Sequence, residues 1–434
     1  MRGRVFVLRW IYANMQYLIY AGRGTRTAAI IAATLGCFIA PLRGAEAPSF
    51  PQLIRDAEMT APRLREIEAD VSAAQGRARQ SAALPNPTVS LELEDFGGSG
   101  PYRGTNNSQA TIALSEPLEI GGQRGARKAA GQAGLATATA RSVQARAEFG
   151  YDLAMAYAGA EVALGRVALL TQDAERAQED LRSARALVTA GKEGELRAVQ
   201  AEAAAAASSA ELEGARAGVI EALGRLSTLV GSKEPYSAVG GSLLNAASNG
   251  SNGTTAPPDT AMPRIATAEA EREWAERRLS VERRRAIPTP SLTIGTRRLK
   301  GDDANALVAG FSIPLPLFDR SRGDIAAARA DLSGAEARLE GARLEAEAEV
   351  RTTSAQFEAS AIRLTAANQG AVAAREAYRL ARIGYEAGRT PLFELLGTRR
   401  ALTEAELRLL DARLDRVRAQ ASLARLAGRL PFTE

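Results

Sequence analysis

The chain is written twice. Ser115-Glu116-Pro117-Leu118 returns as Ser312-Ile313-Pro314-Leu315, and Ala190-Gly191 returns as Ala387-Gly388, both at an offset of 197 residues. Pro85-Asn86-Pro87 is matched by Pro288-Thr289-Pro290 at a slightly different offset, in a part of the repeat that carries loops. Chance similarity between Ala-rich helices does not align Pro and Gly landmarks in this way. A duplicated chain builds one supersecondary unit two times and stacks the copies.

Each copy has the same order: a helix, two strands, a very long helix, a Gly break and another helix. In the first copy Leu53 to Ala83 reads as one helix. Val89, Leu91 and Leu93 then alternate with Thr88, Ser90, Glu92 and Glu94, the period of a strand with one apolar and one polar face. A Gly/Ser/Asn loop follows, and Ala110, Ile112 and Leu114 form the apolar face of the returning strand, which ends at Pro117 and Gly121-Gly122. In the second copy Leu292 and Ile294 alternate with Ser291, Thr293 and Thr296, Gly301-Asp302-Asp303 makes the turn, and Leu307, Ala309, Phe311 and Ile313 return before Pro314 and Pro316. The strands are expected at about 87–95, 109–119, 289–299 and 305–316.

Gln123 to Thr189 and Arg322 to Ile383 contain no proline. At 1.5 Å per residue each would extend roughly 90–100 Å, far beyond an ordinary globular helix. Leu153, Tyr157, Val162, Leu164, Leu169 and Leu170 are spaced for a packed stripe, and the Arg and Glu positions suit solvated faces. The helical hairpins are expected over 122–230 and 322–430, in repeats bounded at 48–230 and 260–434. Between them lies a linker, 231–259, whose low-complexity stretch Asn245 to Thr254 reads as loop.

Strands of this length and pattern suit a transmembrane β-sheet with one face to lipid and one to water. Four strands cannot close a barrel, and open edges are not tolerated in hydrocarbon, where each unpaired backbone group costs several kcal/mol. The sheet is therefore expected to be completed by sister chains, three of which supply twelve strands around an open lumen. The fold class is mainly α with a membrane β-barrel. A soluble four-stranded sheet on a helical core is the competing reading; it leaves the long helices and the duplication without a purpose.

Composition removes most chemistry. The chain has no histidine and one cysteine, which excludes an imidazole base, a His-ligated metal, an intrachain disulfide and a thiolate zinc cage. No nucleophile–base constellation, phosphate loop or cofactor motif is present, so neither an enzyme nor a bound cofactor is expected. The formal net charge of +5 belongs to the first 47 residues, which hold six Arg and one acid; 55 less six and 50 less one leave 49 bases against 49 acids, and nucleic-acid binding loses its support. Arg23 and Arg26 precede an apolar run from Thr27 to Ala40, and Ala45-Glu46-Ala47 supplies a small-x-small cut site, so 1–47 reads as a signal peptide with Met15 as an alternative start. The run is shorter than the ~20 residues a membrane anchor needs, and no later run reads as a membrane helix. Cys37, in Thr34-Leu35-Gly36-Cys37, is a weak candidate for lipidation, because Thr34 stands where a leucine is expected.

Several segments together resemble the TolC-type outer-membrane efflux proteins, and within them the cobalt–zinc–cadmium resistance branch. They are Leu84-Pro85-Asn86-Pro87, Leu91-Glu92-Leu93-Glu94-Asp95-Phe96, Pro117-Leu118-Glu119-Ile120-Gly121-Gly122 with Arg124, and Ile313-Pro314-Leu315-Pro316-Leu317-Phe318-Asp319-Arg320 followed by Gly323 to Ala328. The resemblance implies a homotrimer in outer-membrane lipid, with a twelve-stranded barrel and an α-helical tunnel across the periplasm. It also implies docking to a periplasmic adaptor protein and to an inner-membrane proton-driven pump, with passive exit of heavy-metal cations. A multidrug or solvent channel is the close alternative. A periplasmic adaptor is the alternative of another class, against which the duplicated hairpin and its strand pairs count.

The resemblance also carries site residues. Aligned on Tyr385-Glu386-Ala387-Gly388, the first acid of the family's periplasmic aperture falls on Glu394, and the second falls on Gly397, where a carboxylate is missing. The latch tyrosine matches Tyr385, Thr390 with neighbouring Arg389 stands at the latch arginine, and Arg197 stands where the facing acid is expected. An Arg197–Glu394 contact is the substitute pairing. Gly191, Lys192, Gly194, Gly388, Arg389 and Pro391 are expected to build the hairpin tips that meet the adaptor. Asp302, Asp303, Glu92 and Glu94 are read as turn and lumen residues, since carboxylates without imidazole or thiolate make a poor transition-metal site.

Overall fold

A computed structural model of the chain describes residues 45–249 and 262–433. The leader up to residue 44, with Cys37, and the linker stretch 250–261 lie outside the described residues. In chain order the elements are β1 (Glu46–Ala47), α1 (Phe50–Thr60), α2 (Pro62–Ser81), β2 (Thr88–Glu94), β3 (Gln109–Pro117), α3 (Gln123–Thr189), α4 (Glu195–Val230), β4 (Ala238–Val239), α5 (Leu243–Asn249), α6 (Pro263–Arg285), β5 (Ser291–Leu299), β6 (Ala304–Ser312), α7 (Arg322–Glu386) and α8 (Leu392–Leu426).

Four strands form one antiparallel sheet in the order β2-β3-β5-β6, which leaves β2 and β6 as open edges. The register puts Leu91 opposite Ile112, Ile112 opposite Thr296 and Thr296 opposite Leu307. Thr296, expected on the polar side of its strand, therefore shares the apolar face with Leu292 and Ile294, because an even spacing keeps a strand residue on one face. On that face Val89, Leu91, Ile112, Ile294 and Leu307 are 57–87 % exposed, so none of the described residues covers it. The opposite face is polar: Arg297 pairs with Glu94 at 3.2 Å and donates from Nε to Thr111 Oγ1 at 2.9 Å. The expected strand over 305–316 stops at Ser312, because Pro314 has no N–H to give a ladder.

The helices α3 and α7 are 67 and 65 residues long. Each turns back at its far end into α4 or α8. The duplication is visible down to single hydrogen bonds. Gly191 N–H donates to Val188 O and Lys192 N–H to Leu187 O; Gly388 N–H donates to Tyr385 O and Arg389 N–H to Gly384 O, all between 2.8 and 2.9 Å. The same pair of bonds closes α4 at Gly231 and α8 at Gly428. These are the two reverse bonds that end a helix at a left-handed residue.

The largest core lies where the two repeats meet at mid-length. Phe50, Leu53 and Ile54 pack on Phe149, Leu153, Tyr157, Leu226, Val230 and Val417, and Phe50 meets the Tyr157 ring edge-on at 5.7 Å. An 18-residue stretch of α3 reaches a mean hydropathy of 1.5, against the expectation that no later run would do so. That stretch is 44 % buried within the protomer, and α3 gives Phe149, Leu153, Tyr157, Ala158 and Ala160 to this core.

Two further expectations need correction. The single helix over Leu53 to Ala83 is two helices, because Ala61, ahead of Pro62, is extended (φ −63°, ψ 123°). The low-complexity stretch is helical as far as Asn249, because Leu243, Leu244 and Ala247 are buried in the core. Glu161 of α3 accepts the first N–H groups of α5, from Leu243 at 2.9 Å and Leu244 at 3.1 Å. In the same region β1 pairs in parallel with β4, Glu46 opposite Ala238, and Ala47 is fully buried. The expected cleavage after Ala47 would remove this strand, whereas one before Glu46 would keep it.

Candidate functional site at the hairpin tips

The tips are turns that only a left-handed residue can make. Gly191 and Gly388 share φ of 69°, and no atom stands within 4 Å of where a Cβ would be; the backbone angle, not space, calls for glycine. Gly194 and Pro391 occupy the N-cap positions of α4 and α8, where their carbonyls accept the N–H groups of Arg197 at 2.9 Å and Glu394 at 3.0 Å. Gly191, Lys192, Gly194, Gly388, Arg389 and Pro391 are all exposed.

The four gate candidates do not form one cluster within the protomer. Glu394 is exposed in the first turn of α8, where the helix dipole favours a carboxylate. Arg389 is exposed. Arg197 is half-buried and turned toward Glu193 at 3.7 Å and Gln200 at 3.2 Å, so the substitute pairing with Glu394 is not made inside the chain. Tyr385 is 2 % exposed, among Leu392, Leu395, Tyr378 and Ala381. Its hydroxyl has no hydrogen-bond partner among the described residues, and burial raises its pKa.

Behind the tips lies a buried ionic cluster that the sequence reading missed. Arg399 of α8 is the largest fully buried side chain, 2 % exposed. Its Nη1 donates to Asp173 Oδ2 of α3 at 2.8 Å and to Ser208 Oγ of α4 at 2.9 Å, and its Nε faces Asp180 Oδ2 of α3 at 3.5 Å. Thr403 Oγ1 donates to the second oxygen of Asp173 at 2.7 Å. One turn further along α8, buried Glu406 receives Arg375 of α7 at 2.7 Å and Arg176 of α3 at 3.8 Å. Two carboxylates share one guanidinium, and burial pushes the Asp180 carboxyl up to about 6, against the opposing pull of Arg399 and Arg382. Tyr378, lying beside it, is pushed to about 12 by its own burial.

A sequence signal for this cluster did exist. Asp173, Ala177, Asp180 and Ala184 follow one helical stripe, as do Arg399, Leu402, Glu406 and Leu410. Charges of opposite sign stand on the apolar stripes of two helices, where a solvated face would not place them.

Among the described residues no group of three or more acidic or thiol side chains is placed to hold a metal ion. The arrangement offers a lipid-facing sheet, a polar inner face and two exposed hairpin tips, but no reacting constellation.

The family description "Outer membrane efflux protein" matches residues 53–232 and 261–429. The chain is 42% identical over 393 residues to the nickel-cobalt-cadmium resistance protein NccC of Alcaligenes xylosoxydans xylosoxydans, covering 91% of this chain and 89% of that one. It is 42% identical over 290 residues to the nickel and cobalt resistance protein CnrC of Cupriavidus metallidurans, covering 67% and 69%. The crystal structure of the outer membrane protein VceC from Vibrio cholerae superposes with a TM-score of 0.71 at 22% identity, over 89% of this chain and 97% of that one.

Proposed function

The chain belongs to the outer membrane efflux protein family, and from that premise we propose that it is the outer-membrane duct of a tripartite assembly that exports divalent transition-metal cations. It resides in the outer membrane, reaches into the periplasm, and acts as a passive channel with no catalytic step. The observation that carries the duct is the pairing of an uncovered apolar sheet face with two open edges, β2 and β6, in one protomer. Both features are satisfied together when three copies join edge to edge in lipid. The metal cargo rests on the near full-length likeness to NccC and the likeness to CnrC.

In this reading an adaptor engages the exposed tips around Lys192 and Arg389, and a proton-driven inner-membrane pump supplies the cation. Three copies of Glu394 ring the aperture, where their mutual repulsion draws in cations that neutralise them. The test is a deletion strain grown across Co, Zn, Cd, Ni, Cu and Ag, with and without the restored gene. Sensitivity confined to a subset of these metals supports the proposal. Unchanged metal tolerance with lost tolerance to organic toxins assigns the duct to the other cargo.

A further inference from the structure

The strands join the helices at one end of the sheet, and that end is basic. The segments 77–87, 118–128, 282–290 and 313–322 hold ten Lys and Arg against three acids. The loops at the opposite end, 95–108 and 300–303, hold two bases and three acids. The chain beyond its leader is neutral, so the collar reflects where charge is placed, not an excess of it.

The register brings the four segments to one level. Thr88 stands opposite Ser115, Pro117 opposite Ser291 and Ser291 opposite Ser312. Hydrogen bonds tie three of the segments together: Arg124 Nε donates to Ala82 O at 2.8 Å, Gln123 Nε2 to Ile287 O at 3.0 Å and Arg284 Nη1 to Gly121 O at 3.2 Å. The three acids are already engaged, Glu119 by Arg127, Glu282 by Arg285 at 3.8 Å and Asp319 by the Ser321 N–H at 2.9 Å. Nine of the ten bases are exposed, and Lys128, Arg283 and Arg322 meet no carboxylate within 4 Å among the described residues.

Uncovered apolar side chains stand among these cations. Ile120 is 73 % exposed, its counterpart Leu317 at the 197-residue offset is 64 % and Phe318 is 98 %. Apolar side chains beside cations on long stems, set between an apolar sheet face and the helices, compose a surface suited to the boundary between headgroups and acyl chains. The helices leave the sheet on its periplasmic side, so the boundary is that of the inner leaflet. A zwitterionic headgroup brings its own cation to its phosphate, whereas an anionic one leaves the phosphate to the protein. We propose that this collar binds anionic phospholipids of the periplasmic leaflet, Lys128, Arg283 and Arg322 meeting the phosphate while Ile120, Leu317 and Phe318 enter the acyl boundary. The inference rests on the outer-membrane reading above and adds the class of lipid and the residues that select it.

Lipid retention tests it. The full chain, extracted in a neutral detergent, is mixed with equal amounts of phosphatidylglycerol and phosphatidylcholine of the same acyl chains, and the lipids held per chain are counted by native mass spectrometry. The expected result is a preference of at least about fivefold for phosphatidylglycerol, the effect of one cation near an anionic surface, and a smaller preference in high salt. Lys128→Gln/Arg283→Gln/Arg322→Gln should keep its phosphatidylcholine and lose the preference. Arg103→Gln/Lys300→Gln, at the opposite end of the sheet, should keep the preference. Equal retention of the two lipids by the native chain overturns the inference and needs no variant; so does a preference that survives the triple substitution or vanishes with the distal pair. A chain that holds neither lipid and stays in solution without detergent overturns the outer-membrane reading instead.

Discussion

Arg399 and Asp173 meet at 2.8 Å across the two halves of a duplicated chain, with side chains 2 % and 5 % exposed. Around them Ala, Leu, Tyr378 and Tyr385 pack the helices, and Glu406 joins α8 to Arg375 of α7 and Arg176 of α3.

Removing the guanidinium alone leaves Asp173 and Asp180 buried without their shared cation, Asp173 keeping only the Thr403 hydroxyl. Arg399→Met should destabilise the protein by about 3–5 kcal/mol, read as a lowered midpoint in thermal unfolding of the detergent-extracted protein. Asp173→Asn/Asp180→Asn/Arg399→Met, which removes the charges together, should recover most of the loss. No difference between the single and triple variants would show that the cluster is not held by its charges.

Asp180 gives the tips a pH dependence of definite sign. Its neighbours are Asp173 and Glu179 on α3, Arg399 on α8 and Arg382 with Tyr378 and Tyr385 on α7. Its folded value of about 6 stands above the ordinary 3.8. Between those values the folded chain holds a proton that the unfolded chain releases, so this group's contribution to stability is most favourable below the ordinary value and is lost as pH rises through about 6. Asp180→Asn, which keeps the neutral shape, should gain stability relative to the native chain as pH rises from 3.8 to about 6 and hold that gain above it. A constant difference across that range would refute the assignment.

The two faces of the sheet should respond oppositely to charge. Leu91→Arg on the uncovered apolar face should cost about 2–4 kcal/mol in a bilayer and reduce recovery of the protein from the outer membrane. Glu92→Arg, on the polar face one residue along, should assemble normally. Equal recovery of both variants would mean that the apolar face does not meet lipid.

Glu394 is tested by conductance. Glu394→Gln should lower the preference for cations over anions and relieve block by divalent cations in planar bilayers, since the ring would lose its charge. Unchanged selectivity and block would make Glu394 an ordinary solvated charge at a helix start.

Much of this architecture was legible because it is periodic. The alternation of Val89, Leu91 and Leu93, the proline-free run from Gln123 to Thr189 and the 197-residue offset each state one repeating geometry, and the helix ends at Gly191 and Gly388 follow from backbone angle alone. The break at Ala61 was not legible, because proline is at home in the first turn of a helix and Pro62 begins one. The helix over Leu243–Asn249 was hidden in Asn/Ser-rich sequence, because the core that buries Leu243, Leu244 and Ala247 and the Glu161 carboxylate at its start both come from elsewhere in the chain. The Arg399 cluster was missed for the same reason: its meaning depends on which helices face one another, and resemblance to a family's latch drew attention to Arg389 and Arg197 at the surface. The sheet was legible as a fragment, since its open edges are visible in the strand count.

The central claim is that one chain supplies a third of a membrane pore. The measurement that tests it most directly is the native mass of the protein extracted from outer membranes, taken with its conductance in planar bilayers. Three copies per particle with stepwise ion conductance is the expected result. A monomer that stays in aqueous solution and leaves bilayers unconducting would contradict the account.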